Sequence, residues 1–474
     1  MTRVRAHGQP VARPALMVSS LVLTDLTALC VAGGLSVLGR YLFGGQFTFW
    51  LYFDMWPLLL SFPVSFAAID LYDEVGISPP EELRRTTMAM SLVYLVIGAG
   101  TFLLRGAEDY SRAVFLVAWM LSLVFVPIAR HTVRNNLCRR PWWGRPAVAI
   151  VKGRRGELVL SSLLSQASLG LKIIGVVTDD KSTAHSICGI PVIGDLTSLP
   201  SVSSSTGVRH GIIAMPAASR RRLADVVEAC RQLLANVIVI PEWFDPSRPW
   251  VASRDINGVP GLALRQELLL PGPRLIKRCL DIIGTIVLSC VFTPLLVVTA
   301  LSVVICSPGK VFYGHRRVGQ GGRRFNAWKF RTMVRDGDRM LRRCLAESPA
   351  LRKEWEQAHK LRNDPRVIRV GHFLRRSSFD ELPQLWNVLR GEMSLVGPRP
   401  IVDDEIRRYG EHFDLYKAVR PGITGLWQVS GRNDTTYAER TNLDRYYVRN
   451  WSVWLDLYIL ARTVRAMLLG RGAY

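Results

Sequence analysis

No two of the eight cysteines have CxxC spacing, and no His/Cys group has the spacing of a zinc site. Cys30, Cys138, Cys188, Cys230, Cys279, Cys290, Cys306 and Cys344 stand singly along 474 residues. That scatter excludes a disulfide framework and reads as reduced thiols in membrane or cytosolic surroundings. Acidic residues are scarce beside basic ones, 38 against 61, for a formal net charge of +23. Such a balance calls for a polyanionic partner: nucleic acid, an anionic membrane or phosphorylated substrates. No helix-turn-helix or aromatic RNA platform supports nucleic acid. A cleavable signal peptide is also missing, because the first apolar run is too long and lacks a small-residue cleavage site. A complete GxGxxG turn and a Tyr-xxx-Lys pair are absent, which speaks against a membrane-tethered NAD-dependent dehydratase.

Long apolar runs are what the chain has instead. Mean hydropathy is positive despite the charge, so the apolar residues are concentrated in segments, as in a membrane protein. Four runs, roughly 16–39, 50–72, 86–104 and 113–129, are each about long enough for a hydrocarbon core of about 30 Å. The second is interrupted by Asp54, Pro57, Pro63 and Asp70. Arg3, Arg5 and Arg13 precede the runs, Arg84 and Arg85 lie between the second and third, and five arginines from Arg130 to Arg145 follow the fourth. Positive-inside logic places both ends of this bundle, residues 1–144, in the cytoplasm.

From 145 to 250 strand-like segments at 147–151, 172–179, 189–196, 210–216 and 236–242 alternate with helical ones at 157–168 and 219–235. This pattern predicts a parallel, Rossmann-like α/β domain. Its first turn, Lys152-Gly153-Arg154-Arg155-Gly156, makes a spacer for regulation or subunit contact a better reading than a dinucleotide site. A linker is expected over 251–273, and a third domain over 274–474. A fifth apolar run, 279–306, has Arg274, Lys277 and Arg278 before it and Lys310, Arg316 and Arg317 after it. Basic residues on both flanks conflict with a crossing, and Pro294 favours a kink. A helix that enters the membrane and turns back satisfies both, against the alternative of an ordinary fifth span. Near the end, 451–468 mixes Trp451, Trp454 and Tyr458 with Arg462 and Arg465, as either a surface-lying membrane helix or a core helix.

The chemistry is concentrated in LRRSSFDELPQLWNVLRGEMSLVGPRP, residues 374–400. Asp380 and Glu381 are adjacent, Pro383 stands where a helix would begin, and Arg375, Arg376, Arg390 and Arg399 surround them. Carboxylates can hold Mg²⁺ or attack phosphorus, while arginines neutralise phosphate oxygens, so the set suits a metal-assisted reaction on phosphate. The plainer alternative is a helix start with solvated charges. Lys329 and Arg331 of WKFRTM are further phosphate candidates, and RPGITGLWQ (420–428) offers glycines for close approach with polar Thr424 and Gln428.

These blocks, with GHRRVGQGGRRFNAWKFRTM (314–333), NDPRVIRVGHFLRRSS (363–378) and RPGITGLWQVSGRN (420–433), resemble the bacterial sugar transferases that move a hexose-1-phosphate from a UDP-sugar to a polyprenyl phosphate. LYDEVGISPPEELRR (71–85) resembles the long galactose-phosphate-transferring branch. The resemblance implies a membrane bundle, a Rossmann-like domain and an α-rich monotopic catalytic domain with a re-entrant helix. It implies Asp380 as nucleophile, Glu381 as the Mg²⁺ ligand, and Arg375 and Arg399 as phosphate contacts. Thr424 and Gln428 would lie near the nucleotide, and Pro294 at the membrane kink. A helix starting near Pro383 would keep Asp380 ionised. The partners implied are UDP-hexose, undecaprenyl phosphate, the bacterial inner-membrane bilayer with the catalytic domain facing the cytoplasm, and a second copy of the chain. Galactose is favoured, with glucose close behind. A non-catalytic scaffold for polysaccharide assembly is the alternative from a different class.

Overall fold

The computed structural model describes residues 12–44, 52–53, 55–72, 78–103, 111–164, 170–178, 185–206, 208–215, 218–240, 251–256, 259–264, 267–334, 337–347, 352, 364–430 and 436–469. The chain divides into two compact units, Met1–Phe244 and Asp245–Tyr474.

In the first unit, helices α1 (Pro14–Leu42), α2 (Ser61–Ala68), α3 (Pro79–Leu103) and α4 (Arg112–Leu137) form the N-terminal bundle. Met17, Leu21, Leu29, Phe62, Phe66, Met90 and Val126 fill its core. A buried ion pair ties its ends together, with Arg130 Nε and Nη2 each 2.6 Å from an Asp25 oxygen and Tyr72 donating to the same carboxylate. The second apolar run departs from expectation. Among its described residues it folds as a 3-10 turn, Trp56–Leu60, and the eight-residue α2. Those 13 residues reach only about 20 Å, because Pro57 and Pro63 break the pattern and Asp70 turns the chain with φ 57°. The start of that run, and residues 73–77 of the block at 71–85, lie outside the described residues.

The α/β layer follows. Strands β1 (Arg145–Val151), β2 (Leu171–Thr178), β3 (Ser186–Ile187), β4 (Ile190–Gly194), β5 (His210–Ala214) and β6 (Asn236–Val239) form one sheet in the order β3-β4-β2-β1-β5-β6. All its pairings are parallel except β3 with β4. Helices α5 (Gly153–Leu164), α6 (Leu199–Thr206) and α7 (Arg220–Leu233) complete it. Gly156 of the first turn serves packing: a Cβ there would stand 2.5 Å from Ala214 O.

In the second unit the expected linker contains a hairpin, β7 (Val251–Ile256) paired antiparallel with β8 (Val259–Leu264); residues 245–250 lie outside the described residues. Helix α8, Pro271–Cys306, starts earlier than the apolar run and continues through Pro294 for 36 residues, about 54 Å. The hairpin β9 (Phe312–Val318) and β10 (Arg324–Phe330) follows. Then come α9 (Gly337–Glu347), α10 (Arg369–Ser377), α11 (Gln384–Arg390) and β11 (Ser394–Val396). After α12 (Ile406–Tyr409) and α13 (Phe413–Lys417), β12 (Gly422–Thr424) pairs parallel with β11. Helices α14 (Leu426–Ser430), α15 (Tyr437–Arg449) and α16 (Val453–Leu469) end the chain. The 451–468 segment takes the core alternative, with Trp451, Leu455 and Ile459 buried against Val388, Met393 and Tyr447.

Three helices among the described residues, α1, α4 and α8, are long and apolar enough to cross a membrane. Both halves of α8 pack on the rest of the second unit. Asp281 near its start accepts from Ser394 Oγ at 2.7 Å, and Lys277 bridges Asp281 and Asp456. Val303 near its end is buried with Phe330 and Leu374.

Candidate active site

Helix α10 ends at Ser378, which adopts the left-handed conformation with φ 59°. A non-glycine residue there is uncommon and reverses the chain sharply. The reversal carries Phe379-Asp380-Glu381 into a 3-10 turn directly ahead of α11. Phe379 anchors the turn on apolar neighbours. Its ring centroid lies 6.4 Å from Phe292 of α8 and 6.2 Å from Phe373 of α10. The turn that bears the carboxylates is therefore held beside the middle of the long apolar helix, at Phe292, two residues before Pro294.

Lys329 projects from β10 onto both carboxylates. Its Nζ is 2.5 Å from Glu381 Oε1 and 4.0 Å from Asp380 Oδ2. Burial pushes the Asp380 carboxyl up to about 6, against the pull of Lys329 and Arg375. Burial acts on Glu381 in the same direction, but Lys329, Arg399 and Arg317 outweigh it and hold that carboxyl below its ordinary value. The two neighbours are thus driven apart, because one has the lysine in contact and the other does not. Desolvation works against the expected ionisation of Asp380, and α11 has only seven residues, but a value of about 6 leaves the carboxyl mainly ionised at pH 7.

Arg375 is placed by a hydrogen bond from its Nε to Thr332 Oγ1 at 2.9 Å, and its charge acts on Asp380. Arg399 lies with its guanidinium 5.4 Å from the Trp427 ring, a ring that also carries Arg440 at 4.8 Å. Arg331 is elsewhere, donating to Ser307 O at the exit of α8. Thr424 Oγ1 meets Thr463 Oγ1 at 2.7 Å, and Gln428 Nε2 donates to Ile423 O. The glycines of that loop serve backbone packing: a Cβ on Gly422 would lie 2.1 Å from Gly397 N.

Two residues that the sequence did not mark for the site belong beside it, one of them, Arg317, having been read only as a flanking charge. His315 and Arg317 of β9 share a face with Lys329, because Tyr313 pairs with Lys329 and His315 with Ala327 across the hairpin. Burial, then Arg317, Lys329 and Arg399, lower the His315 value and favour its neutral form. Arg317 Nη1 donates to Pro400 O at 3.2 Å, next to Arg399. Strand alternation in GHRRVG was the available signal. Behind this layer Asp444 is buried, accepts from Tyr409 OH at 2.6 Å and is pushed up to about 7 by desolvation.

As a metal site the set is sparse. Among the described residues no group of three or more His, Cys, Asp or Glu side chains converges. Two adjacent carboxylates suit Mg²⁺, which commonly takes one or two protein carboxylates and completes its shell with water and substrate phosphates.

Residues 272–470 match the bacterial sugar transferase family, and residues 67–241 match a CoA-binding domain. The chain is 36% identical over 403 residues to a UDP-galactose-lipid carrier transferase of Erwinia amylovora, covering 83% of this chain and 82% of the relative. It is 35% identical over 400 residues to an undecaprenyl-phosphate galactose phosphotransferase of Salmonella typhimurium, with 83% and 82% covered. It is 29% identical over 467 residues to a UDP-glucose:undecaprenyl-phosphate glucose-1-phosphate transferase of Escherichia coli, with 96% and 94% covered.

Proposed function

The chain belongs to the bacterial sugar transferase family, and from that premise we propose how its site works. It is an enzyme that transfers hexose-1-phosphate from a UDP-sugar to undecaprenyl phosphate, releasing UMP, in polysaccharide biosynthesis. Galactose is the favoured hexose, because relatives named for galactose share 35% and 36% identity while relatives named for glucose share 29% and 31%.

One observation supports the mechanism: two adjacent carboxylates face Lys329, at 4.0 Å from Asp380 and 2.5 Å from Glu381, with burial raising the first and the lysine lowering the second. Asp380 attacks the sugar-bearing phosphorus of the UDP-sugar, and the bond from that phosphorus to the UMP oxygen breaks. UMP leaves with the bonding pair, and the hexose phosphate remains on Asp380 as an acyl phosphate. An oxygen of undecaprenyl phosphate then attacks the same phosphorus and returns the carboxylate, so charge and atoms balance. Lys329, Arg375, Arg317 and Arg399 provide the positive field that lets two anions approach. Glu381 would hold Mg²⁺, which when bound supplies neutralisation of the diphosphate. Lys329 would then release Glu381 and turn to phosphate.

Helix α8 enters the cytoplasmic leaflet of the inner membrane and returns. Support comes from catalytic-unit contacts at both its ends, from flanking basic residues and from Pro294 at its centre. Helices α1 and α4 carry the bundle across the membrane, with the catalytic unit in the cytoplasm, and the α/β domain provides subunit contact in a homodimer.

The test is UMP release by purified protein in native lipid particles with undecaprenyl phosphate, Mg²⁺ and a panel of UDP-sugars. Release with UDP-galactose that disappears in Asp380→Asn is expected. Release surviving in that variant would discard the covalent step. No release with any sugar from folded protein would favour the scaffold alternative.

A further inference from the structure

The catalytic unit has a cavity of about 420 Å³ that none of the carboxylate-site residues lines. It opens at the first turns of α8 and is bounded by β11, the 3-10 turn at Gln320–Gly322 and the loop before β12. Its charged lining is Arg274, Lys277, Arg278, Arg420 and a single acid, Asp281. The acid is already committed, since it accepts from Lys277, Ser394 Oγ and Leu395 N. Lys277 is balanced by Asp281 and Asp456. The three guanidiniums have no carboxylate partner among the described residues. Each is instead fixed by carbonyls: Arg274 Nε to Leu268 O at 2.6 Å, Arg278 to Val388 O and Leu389 O at 2.7 and 2.9 Å, and Arg420 Nε to Gly391 O at 2.9 Å. Burial, then Arg278 and Arg274, lower the Arg420 value, with Asp281 the one charge acting against them.

Two further facts locate the cavity. It lies at the C-terminal end of α11, whereas the carboxylates lie at its N-terminal end, so about 10 Å of helix separates them. Leu275 on its lip is 66% exposed, and outside the cavity Ile276 and Ile283 of the same helix are exposed too. Arginines held in fixed orientation beside exposed apolar side chains fit a phosphate group whose remaining part is either lipid or small and soluble.

We propose that the cavity lined by Arg274, Arg278 and Arg420 is a second, non-catalytic phosphate-binding site at the membrane boundary, occupied by the phosphate of an anionic headgroup or by a soluble phosphate. Its place at the boundary rests on the reading that α8 enters the bilayer; its chemistry does not. An occupant would neutralise the cations that hold the end of α11 and so steady the element that begins at the catalytic turn.

The experiment uses the full chain in phosphatidylcholine nanodiscs. Spin-labelled phosphatidylglycerol and spin-labelled phosphatidylcholine report headgroup preference, and calorimetry with inorganic phosphate reports soluble binding. A preference for phosphatidylglycerol is expected in the parent, reduced roughly fivefold in Arg274→Gln and kept in Arg274→Lys. Arg343→Gln, an exposed arginine of α9 paired with Glu347, controls for surface charge. Inorganic phosphate binding lost in Arg274→Gln, without a lipid preference, supports the site with a soluble occupant. If neither ligand distinguishes Arg274→Gln from the parent, the proposal is overturned. UMP release in neutral discs is expected to be equal in the two proteins. Its loss in Arg274→Gln would assign the arginine to the transfer reaction and overturn a separate site. Absence of release from the parent would sink the proposed function while leaving the binding result standing.

Discussion

In the proposed mechanism Asp380 reacts as the anion, whereas its burial favours the acid. With its value near 6, kcat/KM is expected to rise with pH through about 6 and then level, and a pH profile of UMP release checks this. Asp380→Asn should reduce release by at least roughly a thousandfold, as loss of a nucleophile does. The same substitution has a stability signature of opposite sense. The folded value lies above the ordinary 3.8, so between those values the native state binds more protons than the unfolded chain, and stability falls as pH rises. Asp380→Asn should therefore unfold at higher temperature than the parent at pH 7, with the gap closing as pH is lowered through 6 towards 4. Lys329 lowers the Asp380 value; Lys329→Met should move the acidic limb of the rate profile to higher pH, whereas Arg331→Met, anchored on Ser307 O, should leave it in place. An unmoved limb in Lys329→Met would remove the lysine from the site.

At the scale of elements the site depends on the joint between α11 and β10. Asn387 is fully buried, accepts from Trp328 N at 3.0 Å, and donates to Asn326 O at 2.8 Å and Glu392 Oε2 at 2.6 Å. One amide therefore fixes the strand that carries Lys329 against the helix that follows the carboxylates. Asn387→Leu keeps the volume but leaves buried backbone groups unpaired, at about 1–3 kcal/mol each. A clear loss of thermal stability is expected, with lower UMP release from the protein that remains folded. The parallel pair β11 and β12 plays a similar part through close backbone approach. Gly397 and Gly422 are in contact there, and the loop bearing Arg399 is set by that contact. Glycines in RPGITG therefore report packing between loops, a use that sequence spacing does not separate from approach to a ligand.

For the whole molecule the path of α8 is the decisive feature. Cys279 and Cys306 lie near its two ends and Cys290 near its middle, all three exposed in the structure. A membrane-impermeant maleimide applied to inside-out vesicles, with the other cysteines replaced by serine, is expected to label Cys279 and Cys306 and to spare Cys290. Labelling of only one end would show a crossing and place the catalytic unit differently. Of the basic residues behind the net charge of +23, Lys329 faces the carboxylate pair, and Arg274, Arg278 and Arg420 line the cavity at the foot of α8.

What the sequence by itself determined is the set of local features whose signals are local. The apolar runs, the alternating α/β region and the Asp380-Glu381 motif within its arginine-rich blocks are legible because hydropathy and motif spacing need no partner. The shortened second helix was partly foreshadowed by Pro57 and Pro63, and the hairpin at 251–264 lay in a segment whose composition suggested a linker. Only the tertiary structure put His315 and Arg317 on the face of Lys329, set Thr332 against Arg375 and sent Arg331 away to Ser307, since strand register and loop path decide which side chains meet. It also raised Asp380 while lowering Glu381, because burial and the reach of a single lysine depend on elements about fifty residues away in the chain.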